Sequence, residues 1–396
     1  MSDGGAVQDT TAEDEQGGRF AALRRHWLLT SAVALALLAT GTAVPLVLAA
    51  DDDEPPCHNI PAATRALTDR PAAATRALDP GDDMARMDAV RELLLIDDPC
   101  GDGGQVLGQV VEAATRAPGP GTAHTLAQAR AAFGVAAALD HAEVPEGMAP
   151  GVARMLADYV VDEARYLMHT DDAALPAVTA GAAAPDPQGW TRYGRFLAPG
   201  EAHTDFEYEQ PYGDAEADPE WLVAELARDP EAFAILYDAE RAYFAHYLER
   251  LTRRGGDPAF RPDPEERGRY ASTATTWPDN DLEDIAERVG NLMKHRAADA
   301  REGVTDDLAA FDDAVRHHTR GTYRAAPRQV GTRPPMASIA ARPVAGPLRG
   351  DLMDGRQQLF TVLDAWARER GVPRERAAAM RQIVDDAYVR GLWLRF

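Results

Sequence analysis

The sequence runs to 396 residues with 41 basic and 64 acidic side chains, a formal charge of −23. A chain this acidic repels nucleic acid, anionic lipid and anionic wall polymer, and suits a cation or a basic partner better. Lysine occurs once, at Lys294, and beyond residue 50 the only serines are Ser272 and Ser338. There is no G-x-S-x-G elbow and no S-x-x-K pair, so serine acyl transfer is almost without nucleophiles.

Residues 1–18 are acidic, contain glycine and lack apolar periodicity, which predicts a short disordered tail. Trp27 to Ala50 carries no charge and as a helix would extend about 36 Å, enough to cross a bilayer core. Arg19, Arg24 and Arg25 precede it, and Asp51, Asp52, Asp53 and Glu54 follow. That arginine bias predicts a membrane anchor over 27–50, with residues 1–26 cytoplasmic and the bulk of the chain extracytoplasmic. The alternative is a removed signal: Arg24-Arg25 resembles a twin-arginine signal and Val47-Leu48-Ala49 a cleavage site. The apolar run is longer than the 7–15 residues usual for a signal, which favours the anchor. The pair Cys57 and Cys100 then lies in an oxidising compartment, where a disulfide is the expected state. Metal ligation by both cysteines with His58 lacks a fourth ligand at zinc spacing.

Residues 51–170 read as a first helical part. Ala62-Ala63-Thr64-Arg65-Ala66-Leu67 recurs as Ala73-Ala74-Thr75-Arg76-Ala77-Leu78, and Pro71 divides the stretch into two short helices. Asp82 or Asp83 is the expected cap of a helix through Met84, Met87, Val90, Leu93 and Leu94. Val106 to Val111 form the next, Thr122 is the expected cap of one through Leu126, Phe133 and Leu139, and a fourth follows Pro150 as far as Leu167. Residues 171–217 break this pattern, being rich in proline, glycine and aromatics, with Thr204 to Tyr208 the one expected strand. The second helical part, 218–396, opens on two start signals, Asp218-Pro219-Glu220 and Asp229-Pro230-Glu231. The helix after the second carries the stripe Phe233, Leu236, Tyr237, Phe244, Tyr247, Leu248, expected to be a core seam. Asp279 to Ala300, Asp306 to Arg320, Asp351 to Arg370 and Pro373 to Leu394 are four more helices, with an irregular crossing over 321–349. The expected fold is all-α with little or no β.

Three clusters invite a chemical reading. Asp312, Asp313, His317 and His318 offer half a metal site, but their place at a helix C-terminus explains the histidines without one. Asp279-Asn280-Asp281-Leu282-Glu283 lacks the glycine and the distal acid of a calcium loop and suits a helix start instead. The third cluster, within 190–212, is the expected ligand-binding segment: Trp190, Arg192, Tyr193, Arg195, His203, Asp205, Glu207, Tyr208 and Glu209. Flat aromatics, arginines and carboxylates there suit a wall fragment, glycan or peptide. The expected function is therefore binding or scaffolding at the cell envelope, with no cofactor and no resident metal. Its alternative is a carboxylate-dependent wall hydrolase, and two carboxylates of raised pKa in a deep pocket would be that enzyme's mark.

Overall fold

The structure is a computed structural model that describes residues 57–163, 178–179, 190–191, 194–195, 198–206, 217–256 and 277–393. The expected anchor, 27–50, lies outside them; among the described residues no helix is long and apolar enough to cross a membrane. The fold is mostly helical.

Cys57 and Cys100 are joined, with Sγ–Sγ 2.04 Å and Cα–Cα 5.0 Å. The bridge is reinforced by backbone bonds from His58 N to Asp98 O and from Cys100 N to His58 O, at 2.8 and 2.9 Å. The duplicated hexapeptide forms α1 (Ala62–Arg65) and α2 (Pro71–Leu78), with Pro71 at the start of the second. Helix α3 (Met87–Leu94) begins later than its expected cap, and neither Asp82 nor Asp83 caps it. Met84 adopts φ 58°, a left-handed turn that no helix passes through, so the helix starts only beyond it.

Helix α4 (Gly103–Thr115) and α5 (Leu126–Ala138) follow. The cap of α5 is Thr125 rather than Thr122: its hydroxyl accepts from Gln128 N while the Gln128 side chain accepts from Thr125 N, a complete capping box. Helix α6 (Ala149–Asp158) breaks at Tyr159 and resumes as the short α7 (Val160–Glu163), where one longer helix had been expected. Gly108 and Gly151 let α4 and α6 cross in backbone contact: a Cβ at Gly151 would run into the Gly108 carbonyl.

Of the strands in two small sheets, only the one expected from Thr204 was foreseen, and it covers His203–Thr204 while Asp205 and Phe206 lie outside it. Val178–Thr179 (β1) pairs antiparallel with His203–Thr204 (β4), and Trp190–Thr191 (β2) with Gly194–Arg195 (β3). Elements of two residues carry no alternation to read.

Asp218 and Asp229 cap α8 (Pro219–Leu226) and α9 (Pro230–Arg250) as expected, accepting from Trp221 N at 3.0 Å and Ala232 N at 2.8 Å. Helix α9 is central among the described helices, and its aromatic stripe is core: Phe233, Tyr237, Phe244 and Leu248 are completely buried. It is enclosed by α6, α10 (Trp277–Glu302), α11 (Leu308–His318) and α12 (Met336–Ala340), the last a short helix inside the expected irregular crossing. Helices α13 (Gly355–Arg370) and α14 (Arg374–Trp393) form the closing pair, turned by Gly371 at φ 66°. Gly290 and Gly391 bring α10 and α14 together as Gly108 and Gly151 do α4 and α6.

Candidate ligand cavity beside a buried ion-pair layer

A helix enclosed on nearly every side has no wet face for its polar residues, so each charge must be paired inside. Helix α9 carries several. Asp238 pairs with Arg241 one turn on and accepts from Arg320 N at 2.8 Å. Glu240 receives Arg288 Nη2 of α10 at 2.5 Å, and the same guanidinium meets Glu163 of α7. Burial pushes the Glu240 carboxyl well above the usual carboxylate range and draws Arg288 down to about 9. Glu249 binds Arg342 and accepts from Ala326 N at 2.8 Å, with His246 Nδ1 3.7 Å from its other oxygen.

A second set of charges lies where α6 ends. The break at Tyr159 leaves Asp158 at the last turn, completely enclosed and reached from two sides. Arg116 Nε, just past α4, lies 3.2 Å from its Oδ1, and Ala117 N donates to Oδ2 at 3.2 Å. On the inner side His124 Nε2 is 3.6 Å from Oδ2, while His124 Nδ1 donates to Glu201 at 3.0 Å. Glu201 in turn accepts from Met336 N, the first residue of α12. The His124 ring stacks on Tyr159 with centroids 4.2 Å apart. Burial works to lower the His124 pKa, but the contacts with Asp158 and Glu201 outweigh it and hold the imidazolium at about 9.

Asp158 has a second neighbour: a cavity of about 370 Å³ between α6 and α9. Arg154 and Asp158, one turn apart on α6, line one wall; Glu231, Ile235 and Asp238, on one face of α9, line the other. Arg116, His318, Arg320 and the end of α12 close it. Arg154 spans the cleft, bonding Glu231 at 2.5 Å and Glu112 at 3.4 Å. Arg320 is turned away from ligand duty: its guanidinium takes the carbonyls of Ala340, Ala341 and Arg342, the open end of α12. Of the two buried acids on the lining, Asp238 has its pKa raised by burial, against the lowering pull of Arg241.

The expected site residues are distributed differently. His203 is buried and bonds Asp162 Oδ1 at 2.8 Å, while Thr204 N takes Oδ2 at 2.9 Å, so this part of the segment is docked onto α7. Asp205 is half-buried next to it, and Phe206 is buried edge-on to Tyr159, centroids 6.2 Å apart. Trp190 and Arg195 are register partners across β2 and β3. Arg192, Tyr193, Glu207, Tyr208 and Glu209 lie outside the described residues. The structure thus brings His203 to Asp162 and places neither at the cavity. Of the other clusters, Asp312 is taken by Arg296, and His317 and His318 end α11 exposed.

No protein-family model matches the chain, and comparison with curated proteins and with solved structures gives no significant match. Sequence reasoning had given no binding role to Arg116, His124, Arg154, Asp158, Glu231 or Asp238. One signal was present: Arg154 and Asp158 stand four apart in α6, and Glu231 and Asp238 seven apart in α9, polar residues stacked on one helix face.

Proposed function

We propose that this protein is a membrane-anchored, outward-facing helical binding module of the cell envelope, with the cavity between α6 and α9 as its ligand site. The observation that carries the reading is the state of the cavity's carboxylates. Asp158 is held by Arg116, His124 and a backbone N–H, and Asp238 by Arg241 and another. Carboxylates committed in this way shape a recognition surface; they do not stand ready to give or take a proton from a substrate. The volume falls within the range of small-molecule sites. Placement outside the cell rests on the apolar run 27–50 with its arginine flank, and on the pairing of Cys57 with Cys100.

The test is retention. Full-length protein in detergent and its Ala341→Trp variant are immobilised and exposed to the low-molecular-weight fraction of an envelope extract. Ala341 is exposed at the mouth, so an indole there blocks the cavity without repacking the core. A compound retained by the wild type and lost with the variant supports the reading. Identical retention by both removes the cavity as the site.

A further inference from the structure

We infer that the cavity takes a small zwitterion, a peptide of about two residues with a free amino end and a free carboxylate end. The inference rests on the binding reading above and specifies its ligand. In a chain of charge −23, this lining is balanced: Arg116 and Arg154 against Asp158 and Glu231, with the Arg320 guanidinium turned to the end of α12 and Asp238 to Arg241. A purely anionic or purely cationic ligand gains from one set of charges and is repelled by the other. A ligand with both gains from both.

The two halves of that recognition meet in the Arg154–Glu231 pair, which a zwitterion would replace, its carboxylate on Arg154 and its ammonium on Glu231. Arg116 spends Nη1 on Glu112 and directs Nε at Asp158, which leaves Nη2 without a partner among the described residues. With half-exposed Arg154 beside it, this makes the carboxylate-binding end, since a guanidinium fork matches a carboxylate. The opposite end is negative. Glu231 is half-exposed on α9, and α11 finishes at the cavity, so its carbonyl end adds partial negative charge suited to an ammonium. Between the ends the wall is alanine with one isoleucine, Ile235, so the side chains it accepts are small and aliphatic. The volume, about 370 Å³, equals roughly a dozen waters, room for a dipeptide.

The experiment is titration calorimetry on the full-length protein in detergent at neutral pH with three matched probes. These are L-alanyl-L-alanine, its N-acetyl derivative and its C-terminal amide. Saturable binding of the free dipeptide is expected, with each blocked form at least tenfold weaker and binding lost in Ala341→Trp. The Arg154→Gln variant should lose the dipeptide while the melting temperature stays within a few degrees; the probe comparison on wild type stands whatever that variant does. A blocked form that binds as tightly as the free dipeptide overturns the inference, because the site would then read one charge. Absence of dipeptide binding overturns it too. If a compound is still retained in the Ala341-dependent manner described above, only the ligand class has failed; if none is, the binding reading falls with it.

Discussion

His124 and His246 are both buried, both within the same helical body, and each lies against a glutamate. Their pKa values move in opposite directions. His124 faces two carboxylates, Asp158 and Glu201, with Arg116 screened behind Asp158, and it is held at about 9. For His246 burial is the leading cause and pushes the value down; Glu249 pulls upward, but Arg250 and Arg342 press the other way. Burial is common to both sites, so it does not decide the charge. The surplus of acid or of arginine around the ring decides it, and the result is one charged and one neutral imidazole in one core.

The comparison is broken or sharpened first by removing the glutamate from each. Glu201→Leu strips His124 of its hydrogen-bonded partner and orphans Met336 N, deep in the layer. Removing one partner of a buried charge pair costs about 3–5 kcal/mol, read as a lower denaturation midpoint in urea at unchanged slope. Glu249→Leu orphans Ala326 N in the same way but should still cost less. Its histidine is already drawn toward the neutral form, and Arg342 keeps a second acceptor in the Arg324 carbonyl. Equal losses would show that the two clusters are energetically alike despite their opposite charges.

The two regions also differ in how far they could be read in advance. Aspartate caps at 218 and 229 and the stripe from Phe233 to Leu248 are local patterns, complete within a few residues of sequence. The disulfide followed from two cysteines beyond an apolar run. His124 and Glu201, by contrast, are 77 positions apart, and Glu201 meets Met336 after another 135. Buried ion pairs have no period, and nothing in a single sequence says which acid a histidine will meet. The cavity was half legible: the i, i+4 pair Arg154 and Asp158 was visible, but its opposition to Glu231 and Asp238 depends on how α6 crosses α9. Capping at Thr122 and at Asp82 or Asp83 failed for a smaller reason. At α5 a second threonine three residues on, Thr125, takes the cap; α3 starts from Arg86 with no side-chain cap at all.

The second test is pH. The folded-state pKa of His124 is raised above its unfolded value near 6.5, so the folded protein holds more protons between the two. Its contribution is therefore complete below about pH 6.5 and is lost as pH rises through about 9, a change of roughly 3 kcal/mol. The other cluster works in the opposite sense. The His246 pKa is lowered, so that site destabilises the fold as pH drops below the ordinary histidine value. Glu249 is held at about 2, against burial, by His246 and Arg342; its stabilisation is present above pH 4.5 and is lost toward 2. Urea midpoints from pH 3 to 10 should give a dome. His124→Leu should flatten its alkaline limb and His246→Leu its acid limb. If either variant flattens the other's limb, the assignment of charge to the two rings is wrong.

The smallest effect separates His124 from the helix it precedes. Thr125 is next in sequence and closes the capping box of α5, so a change there could act on the helix start, on the imidazolium, or on both. The partners of His124 come from elsewhere: Asp158 from α6 and Glu201 from the segment docked by Ala202 N on the His124 carbonyl. Thr125→Ala removes the hydroxyl that accepts from Gln128 N and leaves all of those in place. The expected loss is about 1 kcal/mol, the usual cost of a missing cap. It should be the same at pH 6 and at pH 9, displacing the whole stability curve without tilting it. A loss that shrinks as His124 deprotonates would mean that the capping box positions the imidazole, and the helix start would then belong to the charged layer.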